Sequence, residues 1–130
     1  MRIAIARSLL AQILGHAAAA PDREVCGLLF GDKGTISETR PAPNIADDPA
    51  RTFELDPRAL FAALKAERAG GPKVIGHYHS HPNGSPRPSE RDAEAAEPGA
   101  LWLIVAGDEA ALWMAENDAR FRSVVIDITT

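Results

Sequence analysis

Two histidines one residue apart, stopped by a proline, constrain this chain more than any other feature. His79-Ser80-His81-Pro82 follows Lys73-Val74-Ile75-Gly76-His77-Tyr78, a β-branched and aromatic run that reads as a strand. Alternate residues of a strand share a face, so His79 and His81 point to one side and can share one ion. Pro82 cannot donate to an interior ladder and Asn83-Gly84 is turn chemistry, so the strand ends there, where side chains leave the core and meet solvent. Pro86 and Pro88 stiffen the loop that returns Asp92 to the histidines. Three protein ligands with an open fourth position are the catalytic zinc pattern. A structural zinc is usually closed by four ligands, often thiolates, and a chain with one cysteine cannot build a Cys-rich site.

The rest of the sequence supplies a sheet for that strand to join. Ile3 and Ile5 alternate with Ala4 and Ala6 in a first strand. Ser8 can cap the helix after it, in which Leu9, Leu10, Ile13, Leu14 and Ala17 form one apolar stripe running toward Pro21. Val25-Cys26-Gly27-Leu28-Leu29-Phe30-Gly31 is a buried strand by its continuous apolar run. Asp32-Lys33-Gly34 turns it into a strand over residues 35–40. Residues 41–51 are the longest irregular segment, and Thr52-Phe53-Glu54-Leu55 reads as a short strand. Asp56-Pro57 is an N-cap followed by a first-turn proline, opening a helix with Leu60, Phe61 and Leu64 as its buried stripe and Gly70-Gly71 as its end. A short helix carries Asp92 and breaks at Pro98-Gly99. Strands over residues 101–106, 111–116 and 121–129 complete the chain, with Trp102 and Trp113 as core or rim aromatics. The expected architecture is α/β (α+β): one domain of residues 1–130, with a mixed sheet flanked by helices.

Composition removes several functions. The net charge is −4 and no Lys/Arg run occurs, which argues against nucleic acid as a partner. No apolar stretch approaches bilayer-spanning length, so no membrane role is expected. The N-terminal residues read as a strand and not as a signal peptide. A lone cysteine forms no intrachain disulfide, which points to the cytoplasm.

The full pattern resembles the JAMM (MPN-plus) metalloprotease family in its short bacterial form. Carrying the resemblance are Glu24 ahead of Val25-Cys26-Gly27-Leu28-Leu29-Phe30-Gly31, His79-Ser80-His81-Pro82, and, after six residues, Ser89 with Asp92 three further on. Pro43-Asn44 and Arg51-Thr52-Phe53-Glu54-Leu55-Asp56-Pro57 extend it, so that it spans roughly residues 2–127. The resemblance implies an αβα sandwich around a mixed, curved sheet, akin to cytidine deaminases. It implies one zinc ion on His79, His81 and Asp92, with Glu24 as general base and then acid toward a zinc-held water. It also implies Ser89 as a donor to the water or the tetrahedral oxyanion. The implied substrate is the C-terminal peptide or isopeptide bond of a ubiquitin-like protein. The shortness of the chain favours a small ubiquitin-fold sulfur carrier.

Blander readings stand beside these. Ser89-Glu90-Arg91-Asp92 is also a capping-box start, a role compatible with catalysis. Glu24 on its own is a solvated residue at a strand start. His77 shares the parity of His79 and His81, but a core or orienting histidine is the simpler reading, as a buried apolar thiol is for Cys26. Whether either touches the site stays open, as does the choice between monomer and homodimer. A non-catalytic scaffold of the same fold is the alternative function, although scaffolds of that kind usually lose ligands. A nucleobase deaminase is disfavoured, because its His-x-Glu and Pro-Cys-x-x-Cys are absent.

Overall fold

The computed structural model of the chain describes residues 1–32, 34–82 and 84–130. Lys33 and Asn83, each expected within a turn, lie outside the described residues. The element order is β1 (Arg2–Ala6), α1 (Arg7–Ala18), β2 (Cys26–Gly31), β3 (Thr35–Ala42), α2 (Pro57–Arg68), β4 (Val74–Ser80), α3 (Glu90–Ala95), β5 (Leu101–Ala106), β6 (Glu109–Glu116) and β7 (Arg120–Thr129).

The sheet is mixed and so strongly curved that it closes on itself, in the order β1-β3-β2-β4-β5-β6-β7. β4 lies between β2, antiparallel, and β5, parallel. Cys26 stands opposite His79, and His79 in turn opposite Ile104. This pairing brings the start of β2 to the metal-site end of β4. It is the structural fact on which the site depends.

Helix α1 packs on one face of the sheet. Leu10 and Ile13 are buried with Ile3, Ile5, Leu29, Ile36, Tyr78, Leu103, Val105 and Leu112, and Leu9, Leu14 and Ala17 pack against this core. The His16 Nδ1 to Tyr78 hydroxyl hydrogen bond, 2.7 Å long, ties the helix to β4. Gly27 lies against the Tyr78 ring and the Arg40 carbonyl, where a Cβ has no room. On the other face, α2 sets Ala63 against Leu28 and Phe30.

Four local expectations need correction. Helix α1 starts at Arg7 behind Ala6, with no side-chain cap, because β1 runs straight into the helix and leaves Ser8 inside the first turn. β3 extends through Pro41 and Ala42. Among the described residues it pairs with β1 only at Thr35 and Ile36, so Pro41 occupies a stretch where β2 is the sole neighbour and a missing donor is tolerated. Residues 52–55 form no strand; the isolated bridge from Leu55 to Asn44 is their only ladder contact among the described residues. In α2, Leu60, Phe61 and Leu64 are exposed, Phe61 at 64%, and only Ala63 is buried.

The cap of α2 matches its sequence signal. Asp56 accepts from Arg58 N–H, Pro57 opens the helix, and Gly70 follows its end at φ +99°.

Candidate metal centre

The site forms where β4 runs out. His79 and His81 leave the strand on the same side, and helix α3 delivers Asp92 from across the loop. That helix begins with a reciprocal cap: Ser89 Oγ accepts from Asp92 N–H at 3.0 Å, and Asp92 Oδ2 accepts from Ser89 N–H at 2.9 Å. The cap therefore fixes the carboxylate as well as the helix. The loop between is pinned twice. His81 Nδ1 bonds the Ser85 carbonyl at 2.9 Å, and Trp113 Nε1–H donates to the Pro86 carbonyl at 2.9 Å. The first contact fixes which ring nitrogen of His81 faces the site.

Three ligand-type atoms converge. His79 Nε2 is 3.0 Å from His81 Nε2 and 3.3 Å from Asp92 Oδ2, and His81 Nε2 is 3.1 Å from the same oxygen. Two ligands of a tetrahedral zinc with bonds of about 2.0–2.1 Å stand about 3.3 Å apart, so this nearly equilateral triangle has the size of one face of such a site. Two imidazole nitrogens and a carboxylate oxygen repel at this range unless a proton or a cation lies among them. The donor set fits a divalent metal ion.

Glu24 completes the cluster. One carboxylate oxygen of Glu24 and one ring nitrogen each of His79 and His81 lie within 4.8 Å of one another. Its backbone is held on both sides: Glu24 N–H donates to the Pro49 carbonyl at 2.7 Å, and Asn44 Nδ2 donates to the Glu24 carbonyl at 2.8 Å. Next to it, Val25 N–H donates to Ser80 Oγ at 2.9 Å, fastening the acid to the residue between the two histidines. Glu24 is 6% exposed, and its Oε1 has no hydrogen-bond partner among the described residues.

The electrostatics follow from burial and proximity. Burial pushes the Glu24 carboxyl up to about 7; the nearby His81 opposes this and the Asp92 charge adds to it. Burial alone would also raise Asp92. Hydrogen bonds from His79 and His81, the charge of His79 and the Ser89 N–H overcome it and hold Asp92 far below the usual carboxylate range. His79, fully buried, is lowered by desolvation against the pull of Asp92. His81 is raised, because Asp92, the Ser85 carbonyl and Glu24 outweigh its own desolvation. Two carboxyls in one site are thus driven in opposite directions, a pattern that separates a proton carrier from a permanent anion.

Glu24, His79, His81, Ser89 and Asp92 lie together at this end of β4. His77 lies behind the site on the same strand, its pKa pushed down to about 3 chiefly by burial and its Nδ1 unpartnered among the described residues. The Cys26 thiol faces the carbonyls of Ala42 and Pro43, and burial followed by the Glu24 charge raises it to about 12. Sequence reasoning missed three contributors. Asn44 joins residues 44–54 to Glu24, accepting from Ala46 and Glu54 N–H and donating to the Thr52 carbonyl. Ser80 receives the Val25 N–H, and Phe53 stacks on His79 with ring centroids 4.2 Å apart. Asn44 and Phe53 stand in the stretches that extend the family resemblance, which gave neither a role; Ser80 left no signal beyond its place between the histidines.

Comparison with known proteins bears on the fold and the family. The sequence family described as prokaryotic homologs of the JAB domain matches residues 6–124. A desampylase of Haloferax volcanii is 39% identical over 114 residues, covering 82% of each chain. A probable TtuB-protein conjugate cleaving protease of Thermus thermophilus is 33% identical, covering 80% of this chain and 70% of its own. Among solved structures, a protein of Desulfitobacterium hafniense superposes with a TM-score of 0.85 at 28% identity, covering 99% of this chain and 93% of its own. A JAB1/MPN domain protein from Archaeoglobus fulgidus gives 0.64 at 25% identity, covering 98% and 97%. Fold and site together define a metallohydrolase of the JAMM class. Within that class, the chain belongs to the family of prokaryotic homologs of the JAB domain.

Proposed function

We propose that this chain is a zinc peptidase of one domain that hydrolyses a peptide or isopeptide bond at the C-terminus of a small ubiquitin-like protein, of the sulfur-carrier kind. The observation that carries the reading is the convergence of Glu24 on the triangle of His79, His81 and Asp92. Relatives support the bond type. One is named for cleaving protein conjugates, and two, from Haloferax volcanii and Pyrococcus furiosus, are named desampylases.

His79, His81 and Asp92 would hold the ion. When bound, zinc supplies a Lewis acid that polarises the carbonyl and acidifies water. Glu24 accepts the proton that the attacking water loses and returns it to the departing amine. A carboxyl held near neutrality serves both halves of that exchange. Ser89 Oγ uses a lone pair on Asp92 N–H, which leaves its hydrogen to donate to the developing oxyanion. His77 and Cys26 take no part: the first is half-buried, one strand repeat back from His79, and the second stays a protonated thiol.

The substrate tail binds as an extended segment along β3 beyond Ile36, the stretch of the closed sheet that pairs with β2 alone among the described residues, a main-chain mode that accepts several sequences. The 41–51 segment, whose Pro49 carbonyl holds Glu24, forms one wall of its groove. Among the described residues no helix is long and apolar enough to cross a membrane. The single buried cysteine suits the reducing cytoplasm, where we place the enzyme.

The test is intact-mass analysis of small ubiquitin-fold carriers from the same genome, as C-terminal extensions and as conjugates, after incubation with wild type and Glu24→Gln. Loss of the C-terminal mass with wild type alone supports the reading. Carriers left intact by zinc-loaded wild type would favour a non-catalytic scaffold.

A further inference from the structure

His79 is fully buried, yet its Nδ1 has no hydrogen-bond partner among the described residues. An imidazole that ligates through Nε2 is ordinarily oriented by a hydrogen bond from its other nitrogen to a carboxylate, a carbonyl or water. What surrounds this ring instead is aromatic. Phe53 lies nearly parallel to it, with centroids 4.2 Å apart and planes 20° from each other. Trp102 meets it edge-on at 5.5 Å and 86°. Phe53 itself is braced by His77 at 5.5 Å and by Trp102 at 5.8 Å.

The position of Phe53 is set by its backbone, not by a strand. On either side of it, the Thr52 carbonyl accepts from Asn44 Nδ2 at 3.1 Å and Glu54 N–H donates to Asn44 Oδ1 at 3.0 Å. The Glu54 carbonyl also accepts from Ile45 N–H at 2.9 Å. Asn44 is the same side chain that grips the Glu24 carbonyl. One amide thus locks both the buried acid and the aromatic wall to a single scaffold.

From this geometry we infer that Phe53 is a positioning residue for His79, its flat face doing the orienting that a hydrogen bond to Nδ1 usually does. A ring pressed against a parallel ring cannot turn about χ2 without driving its edge into the neighbour. Nε2 therefore stays directed at Asp92 and His81. The same wall excludes water from the back of the site, which keeps the local dielectric low and strengthens the grip of the three ligands on a cation. The inference rests on the metal-centre reading above.

Two measurements test it. In wild-type protein stripped of metal, the His79 ring protons, assigned by comparison with His79→Gln, should resonate upfield from the ring current of Phe53. That shift should vanish in Phe53→Leu and survive in Phe53→Tyr. Zinc affinity, measured by competition with a chromophoric chelator, should fall about 10- to 100-fold in Phe53→Leu and stay within about threefold of wild type in Phe53→Tyr. An unshifted His79 in wild type overturns the proposal, as does a Phe53→Leu protein that binds zinc as wild type does, or a Phe53→Tyr protein as weak as Phe53→Leu. If wild type itself takes up no zinc, the metal-centre reading fails, and the ring-current measurement still decides where Phe53 stands.

Discussion

Glu24 is the residue at which burial becomes chemistry. Its carboxyl sits beside His79 and His81 with one oxygen unpartnered among the described residues, and desolvation holds its pKa near 7. Glu24→Gln keeps the shape and the backbone anchors to Pro49 and Asn44 but cannot carry a proton. Its turnover should fall by about 10²–10⁴ with the fold unchanged, read by steady-state kinetics and circular dichroism. The sign of the pH effect follows. The base works only when ionised, so kcat/KM falls as pH drops through the Glu24 titration; in the metal-free protein burial places that titration above the ordinary carboxylate range. Little of this was legible in the sequence. Nothing near Glu24 marks it as buried, and its role rested on resemblance until the Cys26–His79 register placed it beside His81. The histidine pair and Asp92 were legible, because strand parity and a capping box are local signals. Phe53 was not, because its place depends on hydrogen bonds made by Asn44 nine residues earlier.

At the scale of elements, α2 shows where periodicity stops being informative. Its limits were readable from Asp56-Pro57 and Gly70-Gly71, yet the side facing the sheet was not. Helical spacing groups Leu60, Phe61 and Leu64, whereas Ala63 is what meets Leu28 and Phe30. A small residue at the contact lets the helix lie close to the sheet, and the larger side chains are turned toward solvent. Phe61→Ala should therefore change stability by no more than about 0.5 kcal/mol, the usual range for surface substitutions. A buried phenylalanine would cost about 3–5 kcal/mol. Ala63→Leu should cost about 1–3 kcal/mol by overpacking the contact. Urea denaturation of the two variants checks both. The loop before α3 follows the opposite rule: Pro86 and Pro88 announced its stiffness, and Trp113, from a strand far along the chain, fastens it.

The whole molecule is a curved sheet closed by the pairing of β1 with both β3 and β7, and it buries titratable groups that set its pH range. The strands along the chain were legible apart from the one expected over residues 52–55, because each apolar run is bounded by turn residues. Closure was not, since it depends on register between the two ends of the chain. Cys26 is raised by burial from its ordinary 9.0 to about 12. The unfolded chain therefore loses this proton first, and stability falls as pH rises above about 9. His77, His79 and His16 are each lowered from 6.5, chiefly by burial, so the unfolded chain binds their protons first and stability falls as pH drops below about 6.5, with the raised Glu24 carboxyl offsetting part of that loss. Melting temperatures of the metal-free protein should therefore decline on both sides of a plateau lying between those limits.

The central claim is that His79, His81 and Asp92 grip one ion while Glu24 stands beside it as a proton carrier. Because the Glu24 oxygen also lies within 4.8 Å of both histidines, the claim is open to direct contradiction. Native mass spectrometry of zinc-loaded protein decides it. Wild type and Glu24→Gln should each carry one zinc, and His81→Ala and Asp92→Asn should carry none under the same conditions. A Glu24→Gln protein without zinc, or an Asp92→Asn protein that keeps it, would make Glu24 a ligand and contradict the account.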